Sequence, residues 1–196
     1  MSETDARSAI LAAVRAARPP AVARPGVRSE PASGTVQMSR LDEFVSAGTA
    51  AGAEVLIVDR GEVSRVANGA RSAEAIVLST IAEVSTTLTG ADGPHALDSL
   101  DLFVCHSELG VAENGALWLA TSDTMLRAAL FLAQRVAITV EQSAIVATMH
   151  DAYARIDVRA QAFGVFVAGP SKTADIEQSL VIGAHGPKAL TVIVVR

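Results

Sequence analysis

The sequence predicts an α/β fold: an open, mostly parallel β-sheet with helices on both faces. Short apolar runs rich in Val, Ile, Leu and Ala recur along the chain, the composition of strands buried on both faces. Segments with apolar residues at helical spacing separate them, and this alternation is what a parallel sheet with crossover helices requires. The stretch Ala162–Val195, AFGVFVAGPSKTADIEQSLVIGAHGPKALTVIVV, condenses the pattern into strand, small-residue loop, helical spacing and second strand without a gap. It reads as a βαβ unit.

Taken in order, residues 3–17 have helical spacing, with Ala6, Ile10, Ala13 or Val14 and Ala17 near one face, although an Ala-rich helix of this length is marginal alone. Residues 18–35 hold four of the seven prolines, two glycines and three Arg, a linker composition for which poor order is expected. The division is therefore an N-terminal helix and Pro/Arg-rich linker over residues 1–39 and an α/β domain over 40–196. In that domain strand cores are expected at Val55–Val58, Ala75–Leu78, Asp101–Cys105, Ala116–Ala120, Val136–Val140, Phe163–Ala168 and Leu190–Val195. Helices are expected at Arg40–Ala51, Glu62–Asn68 (a short turn), His95–Ser99, Thr124–Gln134, Glu141–Arg155 and Thr173–Ala184. Gly169-Pro170 breaks the strand before the last helix, Ser171 and Thr173 are its candidate caps, and His185-Gly186-Pro187 is its stop.

At 196 residues with half of them hydrophobic, the chain is long enough for one domain with a substantial core. No run reaches the ~20 apolar residues that span a bilayer, and Glu3, Asp5 and Arg7 stand where a signal peptide needs apolar residues. A soluble, cytoplasmic protein is expected. A single cysteine, Cys105, excludes an internal disulfide and an iron-sulfur cluster ligated by this chain alone. Net charge is −5, and residues 1–35 carry five Arg against three acids, so the remainder is the more acidic part. With 4% aromatics and no basic face, nucleic acid is not an expected partner. Apolar helix surface in so Ala- and Val-rich a chain would permit homo-oligomerisation.

Gly169, Ser171, Lys172 and Thr173 offer backbone donors, two hydroxyls and an ammonium at the carboxyl end of an expected strand, where open α/β sheets bind ligands. A small anionic metabolite or cofactor of unspecified identity would satisfy them; the plain alternative is a helix cap with a solvated lysine. Asp175 and Glu177, in the first turn of the expected helix, complete this candidate set. The helix dipole explains both without a ligand, and their charge argues against a polyanion. The four histidines, His95, His106, His150 and His185, lack metal-ligand spacing, so no metal site is expected. For His185 a helix-terminus role leads, and Cys105 at a strand end reads as buried and inert.

GPSKTADIEQSLVIGAHGPKAL resembles the C-terminal signature of the lactate-utilisation protein C family, also described as the LUD-domain or YkgG-like family. GVAENGALWLA at Gly110–Ala120 lies where that family has a Glu-containing strand turn, here Glu113-Asn114-Gly115-Ala116 where the family often reads ETGT. The resemblance runs from about Leu41 to the C-terminus. It implies a Rossmann-like, NagB/RpiA/CoA-transferase-like fold and an accessory subunit that supports oxidation of L-lactate to pyruvate beside iron-sulfur partner subunits. It does not imply a complete enzyme. The ligand would then lie between Glu113, Asn114 and Gly115 on one side and Ser171, Lys172 and Thr173 on the other.

The same segment is similar to the Ser-Glu-Asn-Gly signature of coenzyme A transferases, whose Glu forms a covalent thioester, which would make Glu113 a catalytic nucleophile. Against this stands the lack of a second, glycine-rich CoA motif; His106-Ser107-Glu108 has no Asn-Gly after it. A turn-capping carboxylate and a non-catalytic small-molecule-binding module are the other readings of the same residues.

Overall fold

The computed structural model describes residues 3–20, 22, 38–69, 74–88, 94–160, 162–173 and 180–196. The chain divides into units of residues 1–35 and 36–196. The first contains helix α1 (Glu3–Ala16); most of the expected linker lies outside the described residues. No helix among the described residues is long and apolar enough to cross a membrane.

In the second unit Ser39 starts helix α2 (Arg40–Ala50), its Oγ accepting from Asp42 N at 3.1 Å. Strand β1 (Glu54–Val58), helix α3 (Val63–Gly69), strands β2 (Val77–Ser79), β3 (Leu102–Ser107), β4 (Leu109–Val111) and β5 (Ala116–Thr121) follow. Helix α4 (Thr124–Leu132) begins where Asp123 Oδ1 accepts from Met125 N and Leu126 N. After it come β6 (Arg135–Glu141), β7 (Ile145–Val146), α5 (Met149–Arg155), β8 (Phe163–Val167), β9 (Lys172–Thr173), β10 (Val181–Ile182) and β11 (Ala189–Val195).

Five strands form a wholly parallel sheet in the order β1-β11-β6-β3-β2. This is the mostly parallel central sheet expected from the apolar runs. Val136, Ile138 and Val140 of β6, with Val192 and Val194 of β11, face a core shared with Phe44 of α2 and Leu130 of α4. Ala137, Ile193 and Val195 face a smaller core closed by Val63 and Ala67 of α3, so helices cover both faces. Ile138 and Ile193 are completely buried, each worth ~1.5–3 kcal/mol relative to exposure.

A second sheet, β7-β4-β5-β8, packs Leu117 and Ile145 into the larger core. Its other face, with Val111 and Trp118, is covered by Ala152 of α5. The chain passes between the sheets at Ser107, fully buried, whose hydroxyl lies 2.8 Å from both the Leu109 and Trp118 carbonyl oxygens.

Several expectations are corrected here. β8 and β11 do not form a βαβ unit: β8 runs antiparallel to β5 in the second sheet, and β11 lies between β1 and β6 in the first. The expected Ala116–Ala120 strand also belongs to the second sheet, antiparallel to β4 and β8. The expected Thr173–Ala184 helix fails at its described ends, where Thr173 pairs with Val181 in an antiparallel ladder and Gly183 has φ +74°; residues 174–179 lie outside the described residues. The Glu141–Arg155 helix is broken at Ile145–Val146, which pair with Gly110 and Val111 instead. Its remaining turns start at Thr148, where Thr148 and Asp151 form a reciprocal cap. The helix near His95 is a single 3-10 turn, Pro94–Leu97.

Candidate functional site

Glu113, Asn114 and Gly115 make the turn between β4 and β5. Gly115 N donates to Val111 O at 2.9 Å, and Asn114 Oδ1 accepts from Ala116 N at 3.0 Å. Gly115 has φ +67°, and a Cβ there would run into the backbone of Gly48 in α2. Glycine is needed on both counts. Glu113 is exposed, and its Oε1 accepts from Met149 N, the first amide of α5, at 2.7 Å. With Thr148 and Asp151 satisfying each other's amides, Glu113 completes the start of that helix.

Gly169, Ser171, Lys172 and Thr173 lie on an excursion between β8 and β11. Gly169 has φ +70°, and a Cβ would strike the carbonyl of Ala51. Lys172 Nζ donates to that same Ala51 carbonyl, at the end of α2, where a cation is favoured by the helix dipole. Ser171 N donates to Pro187 O and Ser171 O accepts from Gly183 N, both at 2.9 Å. The GPS and HGP segments are thereby pinned to one another. Gly169 and Ser171 line a mostly apolar groove of about 260 Å³ with Phe166, Val136 and His185. The groove adjoins the amino ends of β6 and β11, since Lys188 N donates to Gln134 O at 2.8 Å, and not the carboxyl edge assumed from the sequence. Asp175 and Glu177 lie outside the described residues. The glycines of both motifs meet the C-terminal half of α2, while the Glu113 carboxylate and the Lys172 ammonium are held by different partners.

The carboxyl ends of the parallel strands form a different site. A cleft of about 270 Å³ is lined by Arg60, Glu83, His106, Thr139, Glu141 and apolar Val63, Ile81 and Val195. Each of the five strands contributes a residue or its following loop, the position at which open α/β sheets hold ligands. His106 Nδ1 lies 3.0 Å from Thr139 Oγ1, and the buried Thr139 hydroxyl lies 3.4 Å from the Cys105 carbonyl. With the Thr139 proton directed to that carbonyl, the ring donates its Nδ1–H to Thr139, and in the neutral tautomer that this bond selects Nε2 is an acceptor. Arg60 donates one nitrogen to Glu141 Oε2 at 2.7 Å, and its other donors carry no partner among the described residues.

Neighbouring Cys105 is 6% exposed, and burial pushes its thiol up to about 12, so it stays protonated at neutral pH. Among the described residues no group of three or more His, Cys, Asp or Glu is placed to hold a metal. Sequence reasoning set His106 aside for want of an Asn-Gly after it. The usable signal was that His106 and Glu141 stand at the carboxyl ends of two apolar strands and Arg60 follows a third.

Comparison with known proteins agrees with this architecture. A crystal structure of a DUF162 family protein from Deinococcus radiodurans superposes with a TM-score of 0.59 at 20% identity, covering 82% of this chain and 100% of that one. Lactate utilization protein C of Geobacillus thermodenitrificans is 31% identical over 122 residues, 59% of this chain and 51% of its own length. The Bacillus pumilus protein of the same name is 36% identical over 90 residues, 43% of this chain and 38% of its own length. The chain thus spans about half the length, or less, of these curated relatives. With the LUD domain profile matching residues 43–195, nearly all of the second unit, the chain belongs to the LUD-domain family.

Proposed function

We propose that this chain is an accessory subunit of a lactate-utilisation system. It holds a small 2-hydroxy or 2-oxo acid in the cleft at the carboxyl ends of the parallel strands, while iron-sulfur partner subunits carry the electrons. The name shared by its relatives supports the system, and a chain with one buried cysteine is suited to a subunit that carries no cluster. The observation that carries the location is the His106–Thr139 pair in the same cleft lining as Arg60. Arg60 has donors left for a carboxylate, and His106 Nε2 is an acceptor for a 2-hydroxyl. Arg60 is the one cation in this lining against Glu83 and Glu141, which disfavours a polyanion and leaves a single carboxylate dependent on the Arg60 donors that Glu141 does not use.

Thermal-shift titration with L-lactate and pyruvate tests this. A ligand at 100 times its dissociation constant stabilises by ~2.7 kcal/mol. The expected result is a rise in Tm with one of these acids that His106→Asn and Arg60→Gln abolish. An unchanged shift in both variants would overturn the assignment. The purified chain is expected to reduce no dye with lactate, and turnover by the chain alone would contradict an accessory role.

A further inference from the structure

A second cavity shares His106 with the cleft and is otherwise unused by the reading above. It holds about 130 Å³ between Phe103 and Cys105 of β3, Leu119 of β5, Leu126 and Leu130 of α4, and Phe163 of β8. Its walls are hydrocarbon, aromatic ring and thiol. Its polar rim contains Thr80, His106, Thr121 and Arg127. The Arg127 guanidinium sits 5.7 Å from the centre of the Phe163 ring, which Phe131 meets edge-on from 6.2 Å.

Arg127, like most cations among the described residues, has no carboxylate partner, so its donors are open to a ligand. The nearest acid in sequence, Asp123, commits its Oδ1 to the amides of Met125 and Leu126. What sets Arg127 apart is its place, a guanidinium in the lining of a mostly apolar cavity. Thr121 adds a hydroxyl whose oxygen accepts from Asp123 N and whose proton is free to be donated.

We infer that this cavity binds a small monocarboxylate with an aryl or branched-alkyl body, the carboxylate on Arg127 and Thr121 and the body among Phe103, Leu119, Leu130 and Phe163. The size limit follows from the volume, since an apolar cavity of ~150 Å³ accepts benzene. A single six-membered ring fills it, and a two-ring body does not. An arginine with its planar donor fork suits a carboxylate better than a neutral head group.

Isothermal titration of the full chain with benzoate and with benzyl alcohol tests this site. Benzoate is expected to bind more tightly than the alcohol. In Arg127→Gln, an exposed helix position that leaves the fold intact, benzoate is expected to weaken about tenfold, with the alcohol unchanged. Arg60→Gln, in the other cleft, is expected to leave both affinities as they were, which separates this site from the lactate assignment. Leu126→Phe, which fills the cavity, should remove both. Absence of benzoate binding to the unaltered chain, or equal benzoate affinity in Arg127→Gln, would overturn the proposal.

Discussion

Glu113 stands closest to a catalytic reading in the sequence and closest to a structural one in the fold. Its carboxylate receives the Met149 amide, so Glu113→Ala should lose a helix cap and ~0.5–2 kcal/mol of stability, measured by urea unfolding. Glu113→Gln keeps an acceptor oxygen and should lose much less. An acyl-enzyme role predicts a different outcome, a CoA-thioester mass adduct that disappears in Glu113→Gln. Gly115→Ala should be the more damaging change, costing more than ~1 kcal/mol, because it strains a positive φ and drives a methyl group into Gly48. Cys105 supplies a pH test. Its pKa rises from 9.0 unfolded to about 12 folded, so the native state binds the proton more tightly. The stability this confers is complete below about pH 9 and is lost as pH rises toward about 12. Alkylation of the folded chain at neutral pH should accordingly be slow, and fast once urea unfolds it.

Among the elements, those of the parallel sheet were legible because burial on both faces leaves an unbroken apolar signature. Leu102–Cys105, Val136–Val140 and Leu190–Val195 appear where the sequence places them. Phe163–Val167 carries the same signature but pairs with β5, since an apolar run does not record its partner. β4 and β7, of three and two residues, are too short for any periodicity to register. The mistaken helix after Ser171 has a specific cause. Ser171 is held by Pro187 and Gly183 through its backbone, and Thr173 is paired with Val181 in a ladder. Lys172 ties this excursion to α2, and Lys172→Met should cost ~0.3–1 kcal/mol by removing a cation from the helix terminus. Hydrogen exchange should show the loss at β9 and β10 and not in the parallel sheet.

For the molecule as a whole, the family signature and the proposed ligand cleft occupy opposite ends of the parallel sheet. GPS and HGP are recognisable in sequence because contiguous residues lock an excursion against α2 and the amino ends of β6 and β11. The cleft is assembled from Arg60, Glu83, His106, Thr139 and Glu141, which are scattered over some eighty residues and meet only through strand order. No local pattern encodes such a meeting. The most direct test is genetic complementation in a strain whose growth on L-lactate is lost when this gene is deleted. His106→Asn is expected to leave that strain unable to grow on L-lactate, and Glu113→Gln is expected to restore growth. The reverse pattern, growth with His106→Asn and none with Glu113→Gln, would contradict the placement of the site and return it to the β4–β5 turn.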